Sequence, residues 1–442
     1  MSKMNNQNKL HGENVIPAGY KRTEVGVIPN DWVEIDLNSI VSGLEAGVSV
    51  NSIDQVDAYS HGKHILKTSC VSNGHFDGYE KKSILPTDVK RAKCSPVKGG
   101  IIVSRMNTPA LVGEVGYVAE SNLDSFLPDR LWQMKFKKDV AHNPKWLATL
   151  LSFPPFSKKI KDTATGTSGS MKNISKSAFL SLKLPWPTLK EQNIIGTVLS
   201  DADALITALE QLIAKKQAIK TATMQQLLTG RTRLPQFSKY HDGAIKDYKT
   251  SELGKIPKDW KITSIGDLFS ISAGGDLRVD EFSDIKSELH PHPIYSNAIS
   301  NFGLYGYCQS YDYIGEYLTI TARGGIGHAV ARKGSFCAIG RLLVLNPKGT
   351  SNVKFFEEYI NQYLSFANES TGVPQLTAPQ VAKYLVNCPS IEEQTAIATI
   401  LSDMDAELSI LEQKLAKVRD LKQGMMQQLL TGRIRLPLDH QP

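Results

Sequence analysis

Apolar residues recur at alternating four- and three-residue intervals along two stretches of the chain. In residues 389–437, nine of ten such positions from Ile397 to Leu429 are apolar, and Lys422 is the exception. Residues 187–235 repeat the spacing less completely. An apolar stripe of this kind is typical of a helix that packs against a second helix, and we predict two helices of about 40 residues. In the first stretch the stripe comprises Ile195, Leu199, Ala202, Ile206, Leu209, Ile213 and Leu227, and it is widened by Val198, Leu205, Leu212 and Ile219.

Both predicted helices carry start and stop signals. Thr188 with Glu191, and Ser390 with Glu393, fit the Ser/Thr-x-x-Glu capping box that opens a helix. Each stretch closes with the sequence TGR, whose glycine can adopt the left-handed conformation that ends a helix, and a proline follows. The repeated TGR is therefore interpreted first as a helix stop.

The two stretches are copies of one sequence. Between Glu191–Pro235 and Glu393–Pro437, 26 of 45 positions are identical without a gap. A second pair, YKRTEVGVIPNDW at 20–32 and YKTSELGKIPKDW at 248–260, shares eight of thirteen residues. The segments between these repeats resemble each other little. The chain thus consists of two copies of one unit, with constant ends and divergent middles.

The duplication supplies a partner for each apolar stripe. Two similar units folded around a common axis would be related by a pseudo-twofold, which places their helices antiparallel. We therefore expect an antiparallel coiled coil. The sequence leaves an alternative open, in which each helix packs only on its own domain.

The divergent middles combine strand and helix signals. In each middle, strands precede a helix and a small polar loop follows it. This order predicts an α+β protein, with two α/β domains in a pseudo-twofold arrangement separated by an antiparallel coiled coil of the two long helices. The predicted strands are 99–106, 112–120, 316–325, 328–334 and 341–347, and the predicted helices are 144–153 and 353–368.

The sequence shows no motif of catalysis. SFPPFS at 152–157 is similar to a methyltransferase signature, but Phe153 replaces its polar first residue, so we predict a loop-forming proline pair. The glycines of RGGIGHA at 323–329 lie between two predicted strands and indicate a turn instead of a phosphate loop. Five scattered cysteines without a CxxC pair favour neither disulfides nor a zinc site. We predict no catalytic residue and no metal site.

Composition limits the setting of the protein. A formal net charge of +7 over 442 residues is compatible with a polyanionic partner without requiring one. No apolar run approaches the roughly 20 residues that cross a bilayer, and the first residues are too polar for a signal peptide. A cytoplasmic location is therefore expected. Residues 1–19 are interpreted as a disordered leader and residues 438–442 as a tail.

Polar side chains suited to nucleic acid occur in both middles. Lysine can neutralise a phosphate, and Arg, Asn and Gln can form bidentate hydrogen bonds with base edges. For each of them, a place in a turn or on a solvated surface is the alternative. The candidates are Lys67, Ser69, Asn73, Arg105 and Asn107 in the first middle, and Tyr295, Asn297, Arg323, Arg341 and Gln375 in the second. Trp32 and Trp260, in the IPxDW pair, are expected to pack at the entrance of each domain.

These motifs, in this order, resemble the specificity (S) subunit of type I restriction-modification systems over nearly the whole chain. The resemblance rests on the two IPxDW openings, on PTLKEQNIIGTVLSDADALI and PSIEEQTAIATILSDMDAEL, and on the two MQQLLTGR helix ends. It implies that residues 20–186 and 236–388 are target recognition domains, each reading one half of a bipartite DNA site. It also implies that the helices of 187–235 and 389–437, conserved regions 1 and 2, space these domains and dock two methyltransferase subunits.

The resemblance also implies roles for single residues. The ten candidates named above are expected to contact DNA, together with Ser168 and Ser170 in the polar loop of the first middle. Identical positions of the repeated helices, taken as exposed, are expected to dock the partner subunits, with capping and solvation as the alternative. They are Glu191, Gln192, Gln225, Gln226 and Arg231 in the first copy, and Glu393, Gln394, Gln427, Gln428 and Arg433 in the second.

A member of this family would be a non-catalytic subunit of a multi-subunit DNA methyltransferase and endonuclease complex. Its partners would be double-stranded DNA, two modification (methyltransferase) subunits and restriction (endonuclease/translocase) subunits, and no membrane. S-adenosylmethionine and ATP with Mg would bind in those subunits, and no cofactor would bind to this chain. Three alternatives remain open: a specificity subunit of a fused or non-type-I restriction system, a coiled-coil scaffold without DNA binding, and a self-contained methyltransferase or nuclease with degenerate motifs.

Overall fold

A computed structural model describes residues 16–166, 170–240, 242–366 and 375–437. Most of the predicted leader and the whole predicted tail lie outside these ranges. The chain forms two compact units. The first comprises residues up to Ala208 together with those from Ala416 onward, and the second comprises Leu209–Leu415.

Eight α-helices occur among the described residues. The two longest, of 39 residues each, occupy the two repeated stretches, as predicted. The first part of α4 belongs to the first unit and the remainder to the second, whereas the reverse holds for α8. The helices are α1 (Pro144–Ser152), α2 (Pro154–Asp162), α3 (Lys176–Leu180), α4 (Leu189–Leu227), α5 (Ile265–Leu268), α6 (Val353–Tyr363), α7 (Ala378–Ala382) and α8 (Ile391–Leu429).

The predicted stop signals end the long helices. Gly230 and Gly432 follow α4 and α8 with φ values of 68° and 69°, in the left-handed region that glycine adopts without strain. A Cβ atom on Gly432 would lie 2.6 Å from Cδ of Pro29 and 3.2 Å from Cη2 of Trp32. The second copy of this arrangement, at Gly230, is equally close. The two glycines therefore permit both the turn and the close packing on the IPxDW segments.

In each unit, the two long helices run antiparallel. In the first unit, Lys422 of α8 donates to Asp203 of α4 over 2.5 Å. In the second unit, the equivalent Lys220 donates to Asp405 over 2.5 Å, and Lys216 to Glu407 over 2.9 Å. The antiparallel prediction is confirmed within each unit. The aspartate partner also explains why a lysine occupies a seam position of α8.

The seam differs from its predicted width. Apolar seam residues such as Ile195, Leu199, Ile397 and Leu401 are buried. By contrast, the side chains expected to widen the stripe of α4 are partly outside it: Leu205, Leu212 and Ile219 are 43, 38 and 42% exposed. That part of the prediction is wrong, because the partner helix covers only the narrow a/d stripe of a two-helix contact.

The first unit contains a six-stranded mixed sheet of order β4-β14-β10-β12-β8-β7 and a four-stranded sheet of order β13-β6-β9-β5. Strand pairs β1-β2, β11-β15 and β16-β3 are separate. The strands are β1 (Tyr20–Thr23), β2 (Gly26–Pro29), β3 (Val33–Asp36), β4 (Val41–Ala46), β5 (Ser52–Ile53), β6 (His64–Leu66), β7 (Val71–Ser72), β8 (Gly74–Phe76), β9 (Lys81–Ile84), β10 (Ile101–Ser104), β11 (Met106–Asn107), β12 (Val115–Tyr117), β13 (Ser125–Phe126), β14 (Leu131–Phe136), β15 (Lys172–Asn173) and β16 (Lys183–Trp186).

The second unit contains one seven-stranded sheet of order β20-β26-β24-β25-β22-β23-β21, with pairs β17-β18 and β19-β27 beside it. Its core packs α6 and the sheet against the ends of the long helices. The strands are β17 (Tyr248–Ser251), β18 (Gly254–Pro257), β19 (Lys261–Ser264), β20 (Phe269–Ala273), β21 (Phe282–Ser283), β22 (His292–Tyr295), β23 (Leu304–Cys308), β24 (Tyr313–Ile320), β25 (Ala329–Ala338), β26 (Leu343–Pro347) and β27 (Leu385–Cys388).

The predicted strands and helices of the middles are present, with shifted ends, and the mixed α/β class is confirmed. One local prediction is wrong. Pro154 and Pro155 do not form a loop but occupy the first turn of α2, where the missing N–H of proline would have no helical partner in any case. The five cysteines are free thiols. Within the described ranges, no helix is long and apolar enough to cross a membrane, and no group of side chains is arranged to hold a metal ion.

Candidate nucleic-acid interface

In the second unit, three loops meet at the side chain of Asn297. Its Oδ1 accepts from the backbone N–H of Ala322 over 2.7 Å, and its Nδ2 donates to the carbonyl of Gly340 over 2.7 Å. Both hydrogen-bonding ends of the amide are therefore used inside the protein. Each of these two atoms has a second hydrogen-bonding position, so a contact between Asn297 and a base edge stays a prediction. Its role in the structure is to hold the three loops together.

Two of the candidate arginines directly follow the residues that Asn297 binds. Arg323 and Arg341 are both exposed. Arg323 Nη2 donates to Oε1 of Gln375 over 3.2 Å, and these two residues also form an antiparallel bridge. Arg341 has a φ of 68°. The structure thus brings Arg323, Arg341 and Gln375 together around Asn297, with both guanidinium groups accessible.

Tyr295 is partly buried and packs against a small hydrophobic cluster of the second unit. The guanidinium of Arg332 stacks on its ring, with Cζ 3.7 Å from the centroid. Arg332 is 6% exposed and donates to Oγ1 of Thr319 and to the carbonyl of Phe302. Burial lowers the pKa of Arg332, although a guanidinium stays charged at physiological pH. Sequence analysis did not single out Arg332, because no spacing signal separates a buried arginine from an exposed one.

In the first unit, the buried carboxylate of Glu114 links the candidate Asn73 to Lys161. Its Oε2 accepts from the backbone N–H of Asn73 over 2.7 Å, and its Oε1 accepts from Lys161 Nζ over 2.7 Å. Asn73 is exposed, with a φ of 49°. Asn107 is 8% exposed and donates to Ser104 over 3.2 Å, which places it inside the unit instead of on a DNA-facing surface.

The remaining first-unit candidates differ in environment. Lys67 pairs with Asp54 over 3.5 Å, and Ser69 donates to Glu80 over 2.7 Å. Acidic neighbours therefore offset the positive charge of that part of the surface. Arg105 donates to the carbonyl of Asp129 over 2.9 Å, with its guanidinium over the Trp132 ring. Ser170 is exposed, and Ser168 lies outside the described residues.

Four residues from three parts of the chain form an ion-pair cluster in each unit. In the second ion-pair cluster, Glu393 accepts from Trp260 Nε1 over 2.9 Å and from both Nε and Nη2 of Arg233, which also binds Asp259. Although burial pushes the pKa of Asp259 upward, hydrogen bonds from Lys246 and Arg233 hold it below its ordinary value. The first ion-pair cluster repeats this arrangement with Asp31, Trp32, Glu191 and Arg435. There, hydrogen bonds from Arg435 hold the pKa of Asp31 below its ordinary value.

Glu191 and Glu393 were expected to be exposed docking residues, and the prediction that they are exposed is wrong. Each is 1% exposed, because its carboxylate leaves the predicted capping box to bind a tryptophan and an arginine. The box keeps only its other half, in which the hydroxyls of Thr188 and Ser390 accept from the backbone N–H of Glu191 and Glu393 over 3.4 Å. The tryptophans Trp32 and Trp260 are buried, as predicted.

Gln192 and Gln394 were also expected to be exposed, and they are buried. Oε1 of Gln192 accepts from the backbone N–H of Asn143, the N-cap of α1, over 2.9 Å. Gln394 does the same for Asn352, the N-cap of α6. The identical Glu-Gln pair of each copy therefore fixes the first turn of a long helix to the domain beside it.

The other docking candidates lie at the surface. Gln427 and Arg433 border a mainly apolar cavity of about 910 Å³ in the first unit, lined by side chains that include Phe156 and Met426. The hydroxyl of Tyr20 donates to the carbonyl of Gly432 over 2.9 Å beside this cavity. The side chains of Gln225, Gln226, Arg231, Gln427 and Arg433 are exposed, and Gln428 is half-buried.

Sequence analysis missed Arg233, Arg435, Asp31 and Asp259. Each lies at an identical position of a repeat, in RxRLP or IPxDW. Identity in both copies was thus a usable signal. A pairing of the acidic residue in one motif with the arginine in the other could have been proposed from it.

Each unit therefore joins a mixed α/β domain to an antiparallel pair of helix ends through the same cluster of residues. This arrangement defines a duplicated two-domain protein whose variable surface is carried on a constant framework. The chain belongs to the family of type I restriction modification DNA specificity domains, whose model matches residues 29–221 and again 257–420. It is accordingly a specificity subunit of a type I restriction-modification system.

Relatives agree with this assignment. The putative type I restriction enzyme MjaX specificity subunit of Methanocaldococcus jannaschii is 25% identical over 433 residues, which cover 94% of this chain and 97% of the relative. The MjaVIII specificity subunit of the same organism is 25% identical over 308 residues, 63% of this chain and 67% of the relative. The S subunit of a type I restriction-modification system from M. genitalium has a similar fold, with a TM-score of 0.60 at 16% identity over 90% of this chain and 96% of that one.

Proposed function

We propose that each unit reads one half of a bipartite DNA site, through target recognition domains that comprise residues 20–186 and 236–388. The observation that carries this proposal is that the family model matches twice, once over each divergent middle. Divergent middles provide two unrelated surfaces, and the identical clusters provide one framework for both. A non-catalytic role agrees with this division.

In the second domain, Arg323 and Arg341 are the residues we propose for contact with base edges or phosphates. Both are exposed, and Asn297 fixes the backbone before each of them. An arginine held in this way can form the bidentate contact with guanine that is the commonest specific contact in the major groove. In the first domain, Ser69, Asn73 and Ser170 are exposed candidates. Lys67 and Ser69 already have acidic partners, so we propose a weaker contribution from them.

We further propose that the long helices set the gap between the half-sites and dock two methyltransferase subunits. S-adenosylmethionine, ATP and Mg would bind in those and in the restriction subunits. In the second unit, Leu212 and Ile219 support docking, because exposed apolar side chains at seven-residue spacing on α4 suit a further helix. The cavity beside Gln427 and Arg433 offers a second apolar surface.

The proposal is tested by a genome-wide map of methylated bases. Cells that express this chain with a methyltransferase subunit from the same organism are compared with cells that lack this chain alone. We expect a split motif with a fixed gap only when the chain is present, and copurification of the methyltransferase subunit with the chain. Arg323→Ala combined with Arg341→Ala should relax one half of the motif and leave the other unchanged. Methylation that is independent of the chain would contradict the proposal.

A further inference from the structure

The loop between β22 and β23 exposes large apolar side chains to water. It comprises residues 296–303, in which Phe302 is 67% exposed and Ile299 is 54% exposed. Isolated exposed apolar residues are common on protein surfaces. Here, two such residues lie within four positions of one loop, beside the exposed Arg323 and Arg341. Together they give this loop a local apolar surface.

The backbone at the tip of this loop is strained. Asn301 and Phe302 have φ values of 48° and 51°, in the left-handed region. Asparagine tolerates that region, but a bulky aromatic residue rarely adopts it, and such strain persists only where the surrounding structure imposes it. Phe302 is mostly exposed, so its own burial does not account for the conformation.

A buried arginine imposes the conformation. Nη2 of Arg332 donates to the carbonyl of Phe302 over 2.7 Å, while Nε of the same guanidinium binds Thr319 over 3.0 Å and its face stacks on Tyr295. A charge-assisted hydrogen bond from a group so well fixed is among the stronger ones in proteins. The loop tip is therefore held in one shape that directs Phe302 outward.

The loop tip also adjoins the arginine-bearing turn. A Cβ atom on Gly325 would lie 2.1 Å from Cδ1 of Ile299, so the turn that carries Arg323 passes directly against this loop. Asn297, in the same loop, holds the backbone before Arg323 and Arg341. An apolar tip and two cationic side chains thus share one surface of the second unit.

We infer that Phe302 is a wedge that inserts against a base step of the second half-site and partly unstacks it. Proteins that deform DNA use apolar side chains in this way, flanked by basic residues that bind the adjoining backbone. The inference rests on the proposed DNA-reading function and adds to it a residue that senses the deformability of a step without a hydrogen bond to a base. The strained, pre-formed tip means that little ordering is needed when DNA binds.

The test uses the full chain in complex with its methyltransferase subunit. The probes are duplexes that carry the mapped motif, with 2-aminopurine placed in turn at each adenine position of the second half-site. We expect the fluorescence to rise at one step in the wild-type complex. Phe302→Ala should abolish that rise and weaken binding about tenfold, as expected for the loss of one stacking contact. Phe302→Trp should retain both.

Two further variants separate the wedge from a role in folding. Ile314→Ala removes a side chain of similar exposure, 63%, from the opposite end of β24 and should change neither fluorescence nor affinity. Phe302→Gly relieves the backbone strain, so it should melt at the same or a higher temperature while losing the fluorescence signal. An unstable Phe302→Gly variant would instead assign a structural role to Phe302.

The remaining outcomes distinguish this inference from the proposed function. If the wild-type complex shows no preference for the mapped duplex, the proposed function fails. If the wild type binds specifically and Phe302→Ala binds and fluoresces equally, only the wedge is overturned. If Phe302→Ala lowers copurification of the methyltransferase subunit and leaves DNA affinity unchanged, the loop is a protein contact and the wedge is again overturned.

Discussion

At the scale of single residues, the two ion-pair clusters contain the same four residue types in different degrees of burial. The side chain of Arg233 is 4% exposed, whereas that of Arg435 is 34% exposed. A buried guanidinium that loses its carboxylate partner cannot turn to water, so removal of one charge costs more free energy at the buried copy. The two clusters are therefore a matched pair for measuring the effect of burial.

We predict that Glu393→Gln lowers the free energy of unfolding by about 2–3 kcal/mol, because Arg233 retains only Asp259 as a charged partner. The equivalent change Glu191→Gln should cost about 1 kcal/mol, since water can reach Arg435. Urea denaturation followed by tryptophan fluorescence measures both. Glu407→Gln, which removes an exposed ion pair with Lys216 in the same unit as Glu393, is the control and should cost under about 1 kcal/mol. A Glu191 variant as damaged as the Glu393 variant would contradict this explanation.

These residues also show what the sequence could predict at this scale. Identity of Glu191 and Glu393 in both copies correctly marked them as constrained. Identity alone could not show whether folding or a partner subunit requires these residues, because either requirement preserves the residue. The exposure of each side chain depends on contacts with Trp32 and Trp260, which are 159 and 133 positions away along the chain.

At the scale of secondary-structure elements, replacing either of two glycines near the end of α8 by alanine is predicted to change the free energy of unfolding, in opposite directions for the two positions. Gly432→Ala should lower the free energy of unfolding by about 2–4 kcal/mol, because its φ of 69° is unfavourable for alanine and the new methyl group would meet Pro29 and Trp32. Gly424 lies inside α8 with open space around it, and the first repeat has Ala222 at the same position.

Gly424→Ala should therefore raise the free energy of unfolding by about 0.5–1 kcal/mol through helix propensity alone. Thermal unfolding of both variants by circular dichroism provides the comparison. A tolerated Gly432→Ala would mean that the end of α8 can move away from the IPxDW segment. Gly424→Ala, the control, would still report the effect of helix propensity on stability.

Long helices were the most predictable elements, since their apolar spacing and both end signals agreed. The short elements were less predictable, as Pro154 and Pro155 illustrate, because a proline pair fits a loop and a first helical turn equally well. The width of the α4 stripe was also misjudged. Leu205, Leu212 and Ile219 match the helical period, but whether a partner covers them depends on the number of helices in the bundle, which periodicity does not report.

At the scale of the whole molecule, each copy of the repeat contributes to both units. The start of α4 and the segment after α8 meet in the first ion-pair cluster, and the start of α8 and the segment after α4 meet in the second. The identical ends thus form two equivalent frameworks, while the middles are free to differ. Sequence duplication predicted that the helices run antiparallel, but it did not predict that the ends of the two copies meet in these clusters. The base contacts could not be predicted, because they depend on loops such as 296–303, whose shape is set by a buried arginine.

A change in helix length tests whether these frameworks determine the DNA gap. We propose duplicating residues 202–208 in α4 and residues 409–415 in α8 together. Seven residues lengthen each helix by about 10 Å and nearly complete two turns, so the apolar seam stays in register. About 10 Å corresponds to about three base pairs, and the methylation map should show the same half-sites separated by a gap about three base pairs longer. Duplication in α4 alone displaces the apolar residues of α4 relative to those of α8, and it should abolish methylation. An unchanged gap with methylation retained would show that the helices do not set the spacing.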